Sequence, residues 1–210
     1  MKAFLMDAYE FLSVLLPFLL VSLLLRKKHK LGRGITAVPH GWTMLSLIYL
    51  VYIAAVFSLT GAGTLFDIHS YGVSLRPGQM NLVPFSQTID PIGYLQNVLL
   101  FLPLGFLLPI LWPDTDRFWY AALAGISFSL LIELSQLCNH RRTDVDDLIL
   151  NTAGALLGFL LYRGFVRVTK WRGLPYGASR WEPVLYTGAM FAGHFLLFYE
   201  LGIARLLYHF

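Results

Sequence analysis

Glu133, Asp144, Asp146 and Asp147 are the residues of this sequence best suited to chemistry, because these four carboxylates fall within residues 133–147, between two apolar stretches. A carboxylic acid walled by apolar groups can serve as a general acid, and an ionised one nearer water can activate a water or hydroxyl. On that logic Glu133 would be the acid and Asp147 or Asp146 the base. Two carboxylates about 5 to 9 Å apart suit glycosidic chemistry. Arg142 would hold a phosphate or carboxylate of the substrate. Gln136, Asn97 and Asn151 would orient it, with Asn81 and Asp144 in the same polar layer. A binding site that leaves its ligand unaltered would use Arg142 and the asparagines without needing a matched acid and base.

These residues must be positioned by helices. In "SFSLLIELSQL", Ser129, Glu133 and Gln136 share one helical face. Glu133 would lie about 8 Å below the outer membrane boundary at helical rise, where a carboxylate is costly unless protonated, paired or wet. The segment that follows carries Asp147, Asn151, Gly154 and Gly158 along one stripe, so Asp147 is expected to point into the bundle toward Glu133. Asp146, rotated about 100° away, is expected to face solvent or pair with an arginine. Asp144 has the position of a helix N-cap, and Gly154 with Gly158 forms a small-residue stripe for close helix approach. A Glu133–Arg142 ion pair is the structural alternative to a chemical role for Glu133. His69 and His140 could join the acids at a metal, but no established ligand spacing supports that.

Composition names the class of scaffold. The chain of 210 residues is 57% hydrophobic and 13% charged, with a mean hydropathy of +0.62. That excludes a soluble domain and points to a polytopic membrane protein. The net charge of +4 reflects lysines and arginines facing anionic lipid and implies no nucleic-acid partner. With one cysteine, Cys138, no intrachain disulfide forms. Six spans are expected, at about 8–25, 42–59, 94–112, 118–138, 148–165 and 184–208, making one all-α membrane domain. The first reads as a retained helix, because the basic "RKKHK" follows it. Basic clusters in 26–33 and 163–180 assign those loops to the cytoplasm, so the acidic loop at 139–147 faces outward. Pro103 should kink its span and free the Leu99 carbonyl.

Four segments in order, "NLVPF", "NVLLFLPLGFLLP", "SLLIELSQ" and "RRTDVDDLILNTAGALLGF", resemble the VanZ-like family, over about residues 81–158. The family's patterned positions fall on Asn81, Pro84, Phe85, Asn97, Phe101, Pro103 and Gly105, then on Glu133, Gln136, Arg142, Asp144, Asp146, Asp147, Asn151, Gly154 and Gly158. The resemblance implies a core at about 42–165 with extra helices at 1–25 and 184–210. The family is named after a teicoplanin-resistance membrane protein. The resemblance therefore implies a cell-membrane location and low-level resistance to teicoplanin or related lipoglycopeptides, and names no reaction.

Two functions follow as expectations. One is binding of a cell-wall precursor, a lipid-linked glycan or a lipoglycopeptide at an outer-leaflet polar site. The other is hydrolysis or transfer on such a glycan, using Glu133 and Asp147. A proton-coupled transporter fits less well, because no chain of acids or histidines runs through the inner half of the spans and no inverted repeat is visible. Beyond the bilayer itself, the sequence assigns no cofactor and fixes no oligomeric state.

Overall fold

The computed structural model describes residues 2–33, 37–72, 78–86, 90–171, 174, 176 and 179–197. Its helices are α1 (Lys2–Arg33), α2 (His40–Thr60), α3 (Leu65–Tyr71), α4 (Pro91–Leu111), α5 (Phe118–Gln136), α6 (Val145–Thr169) and α7 (Glu182–Leu197). Two-residue strands, β1 (Met80–Asn81) and β2 (Thr143–Asp144), pair in parallel. Among the described residues five helices are long and apolar enough to cross a membrane, so the fold is the expected all-α membrane bundle. Leucines line the outer faces: Leu16, Leu20 and Leu23 of α1 and Leu157, Leu160 and Leu161 of α6 are all exposed. Such faces suit contact with lipid, where the helical backbone satisfies its own polar groups.

The helices alternate between two ends. At one, Glu182 of α7 gathers α1 and the turn after α4: His29 Nε2 lies 2.9 Å from Glu182 Oε1, and Trp112 Nε1 donates to Oε2 at 3.1 Å. The basic clusters belong to this end, hereafter the basic end. His29, expected in an open basic loop, is instead buried. The reason is that α1 does not stop at residue 25. Lysine and arginine are good helix formers, and their charges favour a helix C-terminus. At the opposite, acidic end His194 Nε2 lies 3.0 Å from the Ala62 carbonyl oxygen. The 16 described residues of α7 thus link the two ends. The rest of the expected sixth span, 198–210, falls outside the described residues.

Glycines set how closely the central helices approach. A Cβ built on Gly154 would lie 2.2 Å from the Val98 carbonyl oxygen, and one on Gly158 would lie 1.9 Å from that of Leu102. From α4 the relation is reciprocal, with a Cβ on Gly105 falling 1.8 Å from the Ala155 carbonyl oxygen. The stripe on α6 therefore lets its backbone touch that of α4, the small-residue packing typical of membrane helices. Pro103 leaves α4 continuous, and the Tyr52 hydroxyl donates to the Leu100 carbonyl at 3.0 Å, one residue beyond the carbonyl expected to be freed.

The end of α5 is tied to the turn after α2. Gly61 ends α2 in the left-handed region at φ 61°. Gly63 N donates to Ser135 Oγ at 3.0 Å, and a side chain at Gly63 would strike the Ser135 carbonyl. Gln136 Nε2 and Arg141 Nη1 both donate to the Thr60 carbonyl, at 2.7 and 2.8 Å. A capping box of Thr64 with Asp67 starts the short α3, an element not foreseen from composition.

Candidate functional site

The acidic end of α5 and α6 forms two rungs. The lower rung is neutral: Asn151 Nδ2 donates to Ser129 Oγ at 2.9 Å, and both residues are buried. The upper rung stands one turn nearer the acidic end on each helix, with Glu133 on α5 and Asp147 on α6. Asp147 and Asp144 are close enough to act electrostatically on Glu133, and Arg141 partly opposes them. Helix α4 adds a third wall, with Asn97 Nδ2 donating to Asp147 Oδ1. Glu133 Oε2 accepts from Asp144 N at 3.2 Å. Among the described residues nothing donates to Glu133 Oε1 or Asp147 Oδ2. Deeper in, Asn151 Oδ1 is buried without a partner. Unpartnered buried acceptors are costly and favour the approach of a donor.

A loop packs against the start of α6 beside these rungs. β1 brings Asn81 beside Asp144, and Asn81 Nδ2 donates to both Asp144 oxygens at 3.1 Å. Asn81 Oδ1 in turn accepts from Val83 N and Ser86 Oγ, which folds residues 81–86 into a compact turn. Phe85 is held at φ 54°, a left-handed conformation rare for a bulky residue. Asp146 is what holds it. Its Oδ1 accepts from Phe85 N and its Oδ2 from the Tyr94 hydroxyl, both at 2.7 Å. The Phe85 and Tyr94 rings meet edge-on at 6.1 Å. On its outer side this loop exposes Leu82, Val83 and Phe85.

Several expectations change here. Asp146 is 2% exposed, not solvent-facing or paired with an arginine. The helical rotation that takes it off the α6 stripe turns it toward α4 and the 81–86 loop, where two donors occupy it. That leaves Asp147 as the better partner for Glu133. Asp144 caps α6 as expected, accepting from Asp146 N at 3.0 Å, but it also anchors Asn81. The Glu133–Arg142 pair does not form: Asp144 N–H takes that place, and Arg142 is exposed on the connecting loop. Gln136 faces Thr60 and takes no part in the rungs. His140 packs against Tyr71, and among the described residues no three His, Cys, Asp or Glu groups come together to hold a metal. Sequence reasoning missed Tyr94. Its spacing of three from Asn97 on the first turns of α4 was the available signal.

One consequence is testable at once. Asp146→Asn replaces one acceptor with a donor opposite Phe85 N–H or the Tyr94 hydroxyl. It should cost about 1–3 kcal/mol and release the 81–86 loop. Limited proteolysis would show faster cleavage in that loop, and Tyr94→Phe should reproduce about half of the effect.

A family model described as VanZ/LLP1 matches residues 42–169. Protein VanZ of Enterococcus faecium is 26% identical over 135 residues, covering 63% of this chain and 73% of that protein. No solved structure matches the chain.

Proposed function

The chain belongs to the VanZ/LLP1 family, and from that premise we propose that it is a cell-membrane protein that lowers sensitivity to teicoplanin-type lipoglycopeptides by binding an amphiphilic envelope molecule at its acidic end. The ligand would be a lipid-linked glycan, a cell-wall precursor or the lipoglycopeptide itself. One observation carries this reading: Asp144 ties the acid rung to an exposed apolar loop, donating its N–H to Glu133 and accepting from Asn81. Glu133 Oε1 and Asp147 Oδ2 suit hydroxyl or ammonium donors, as on sugars and amino sugars. Leu82, Val83 and Phe85, 68%, 63% and 52% exposed, suit an acyl or prenyl tail. Asn81 joins the two surfaces through Asp144. Exposed Arg142 would meet a phosphate or carboxylate at the rim.

Mass spectrometry of material co-purifying with the detergent-solubilised protein tests this reading. An amphiphile with a hydroxyl-rich head, lost in Glu133→Gln, is expected. Finding only bulk phospholipid, alike in both proteins, would count against it. The reading also requires the acidic end to face outward. With Cys138→Ser and Arg142→Cys in place, an impermeant maleimide should label whole cells. Labelling only after permeabilisation would reverse the topology.

A second reading has its own support, since Glu133 and Asp147 project from adjacent helices with one uncommitted oxygen each. Such a pair would suit a hydrolase or transferase acting on a lipid-linked or envelope glycan, with one carboxyl donating a proton and the other activating a nucleophile. Incubating the purified protein with isolated envelope lipids separates the two readings. A changed product that disappears in Asp147→Asn means catalysis, and an unchanged pool with retained binding means capture.

A further inference from the structure

We propose that the groove between α4, α5 and α7 near the basic end is a specific site for an anionic phospholipid of the adjoining leaflet, with one acyl chain in the groove and the phosphate at Arg180 and Arg117. The groove encloses about 590 Å³ and is walled by Leu104, Leu108, Leu123, Phe128, Leu131 and Val184. That volume falls within the range of ligand sites, roughly 300–1,000 Å³. Along α5 it runs from Trp119 to Leu131, about 18 Å at helical rise. One leaflet's share of the hydrocarbon core is about 15 Å, so an acyl chain of that leaflet matches its length. Its rims are open, with Leu123 54% and Val184 53% exposed.

The mouth has the complementary charge. Arg180, Trp119 and Trp181 line both the groove and an adjoining polar recess that contains Arg117. The Arg180 guanidinium lies 5.7 Å from the Trp181 ring centroid, and the Tyr120 hydroxyl donates to the Arg180 carbonyl, fixing this segment against α5. Two aspartates also lie here. Asp116 is answered by Arg163 at 3.0 Å, which leaves Arg117 and Arg180 against Asp114. Tryptophan and arginine together are the side chains expected where a headgroup meets the acyl region.

Native mass spectrometry of the full-length protein, titrated separately with phosphatidylglycerol and phosphatidylcholine, tests the site. The wild type should hold phosphatidylglycerol at least about tenfold more tightly. Arg117→Ala with Arg180→Ala should remove that preference. Gly188→Phe should weaken both lipids by at least about tenfold, because a side chain at Gly188 enters open groove space without striking its neighbours. Should Gly188→Phe misfold, Leu123→Trp fills the groove from the opposite wall and is read in the same way. Equal retention of the two lipids by the wild type, or an unchanged preference in the arginine variant, would overturn the proposal. Undiminished retention in a folded groove-filling variant would overturn it as well.

Discussion

Glu133→Gln and Asp147→Asn are each expected to weaken ligand binding by roughly 5–100-fold, since leaving a polar partner unpaired in a desolvated contact costs about 1–3 kcal/mol. Melting temperature should move by only a few degrees. The geometry explains why function and stability separate. In Glu133→Gln the side-chain amide keeps an oxygen for the Asp144 N–H, and in Asp147→Asn it keeps one for Asn97 Nδ2. Each change alters only the uncommitted oxygen, turning an acceptor into a donor where the ligand's donors must approach. Ligand titration and thermal unfolding on the same preparations check the pair of outcomes. A variant that binds normally would remove that carboxylate from the site. A variant that cannot be purified folded would mean that its carboxylate is structural.

Gly158→Leu should destabilise the bundle more than any change at the acids. The missing Cβ at Gly158 is where the Leu102 backbone oxygen sits, so no rotamer relieves the clash and α4 must move. Overpacking of this kind costs about 3 kcal/mol or more, and about 3 kcal/mol corresponds to a fall of roughly 6–12 °C for a domain of this size. Gly154→Leu should behave alike, against the Val98 carbonyl. Gly164→Leu, on the same helix but with open space around it, should be tolerated. Thermal unfolding of the three proteins in one detergent separates close packing from a general effect of removing glycine. The third wall of the acid rung would shift with α4, because Asn97 reaches Asp147 across this contact.

Much of this was legible because membrane helices announce themselves through length and hydropathy. The central spans, the α6 stripe and the Asp144 cap all follow from local spacing. Legibility failed where a partner came from far along the chain. Asp146 looked solvent-facing from its own helix, and only the return of residues 81–86 gives it Phe85 N–H and only the approach of α4 gives it the Tyr94 hydroxyl. Arg141 and Arg142 were equivalent in sequence and both are exposed, yet the turn after α2 supplies the Thr60 carbonyl to Arg141 alone. The α1 boundary was misplaced because the basic residues that mark a membrane edge are also good helix formers.

The acidic end is proposed to read a hydroxyl- or amine-rich head and an apolar tail together. The most direct test is calorimetric binding of a lipoglycopeptide, and of the same molecule without its acyl chain, to the protein in nanodiscs. The wild type should bind the acylated form, lose at least about tenfold without the chain, and lose binding of both forms in Glu133→Gln with Asp147→Asn. Equal binding of the two forms, or acylated-ligand binding that survives in the double variant, would contradict the account.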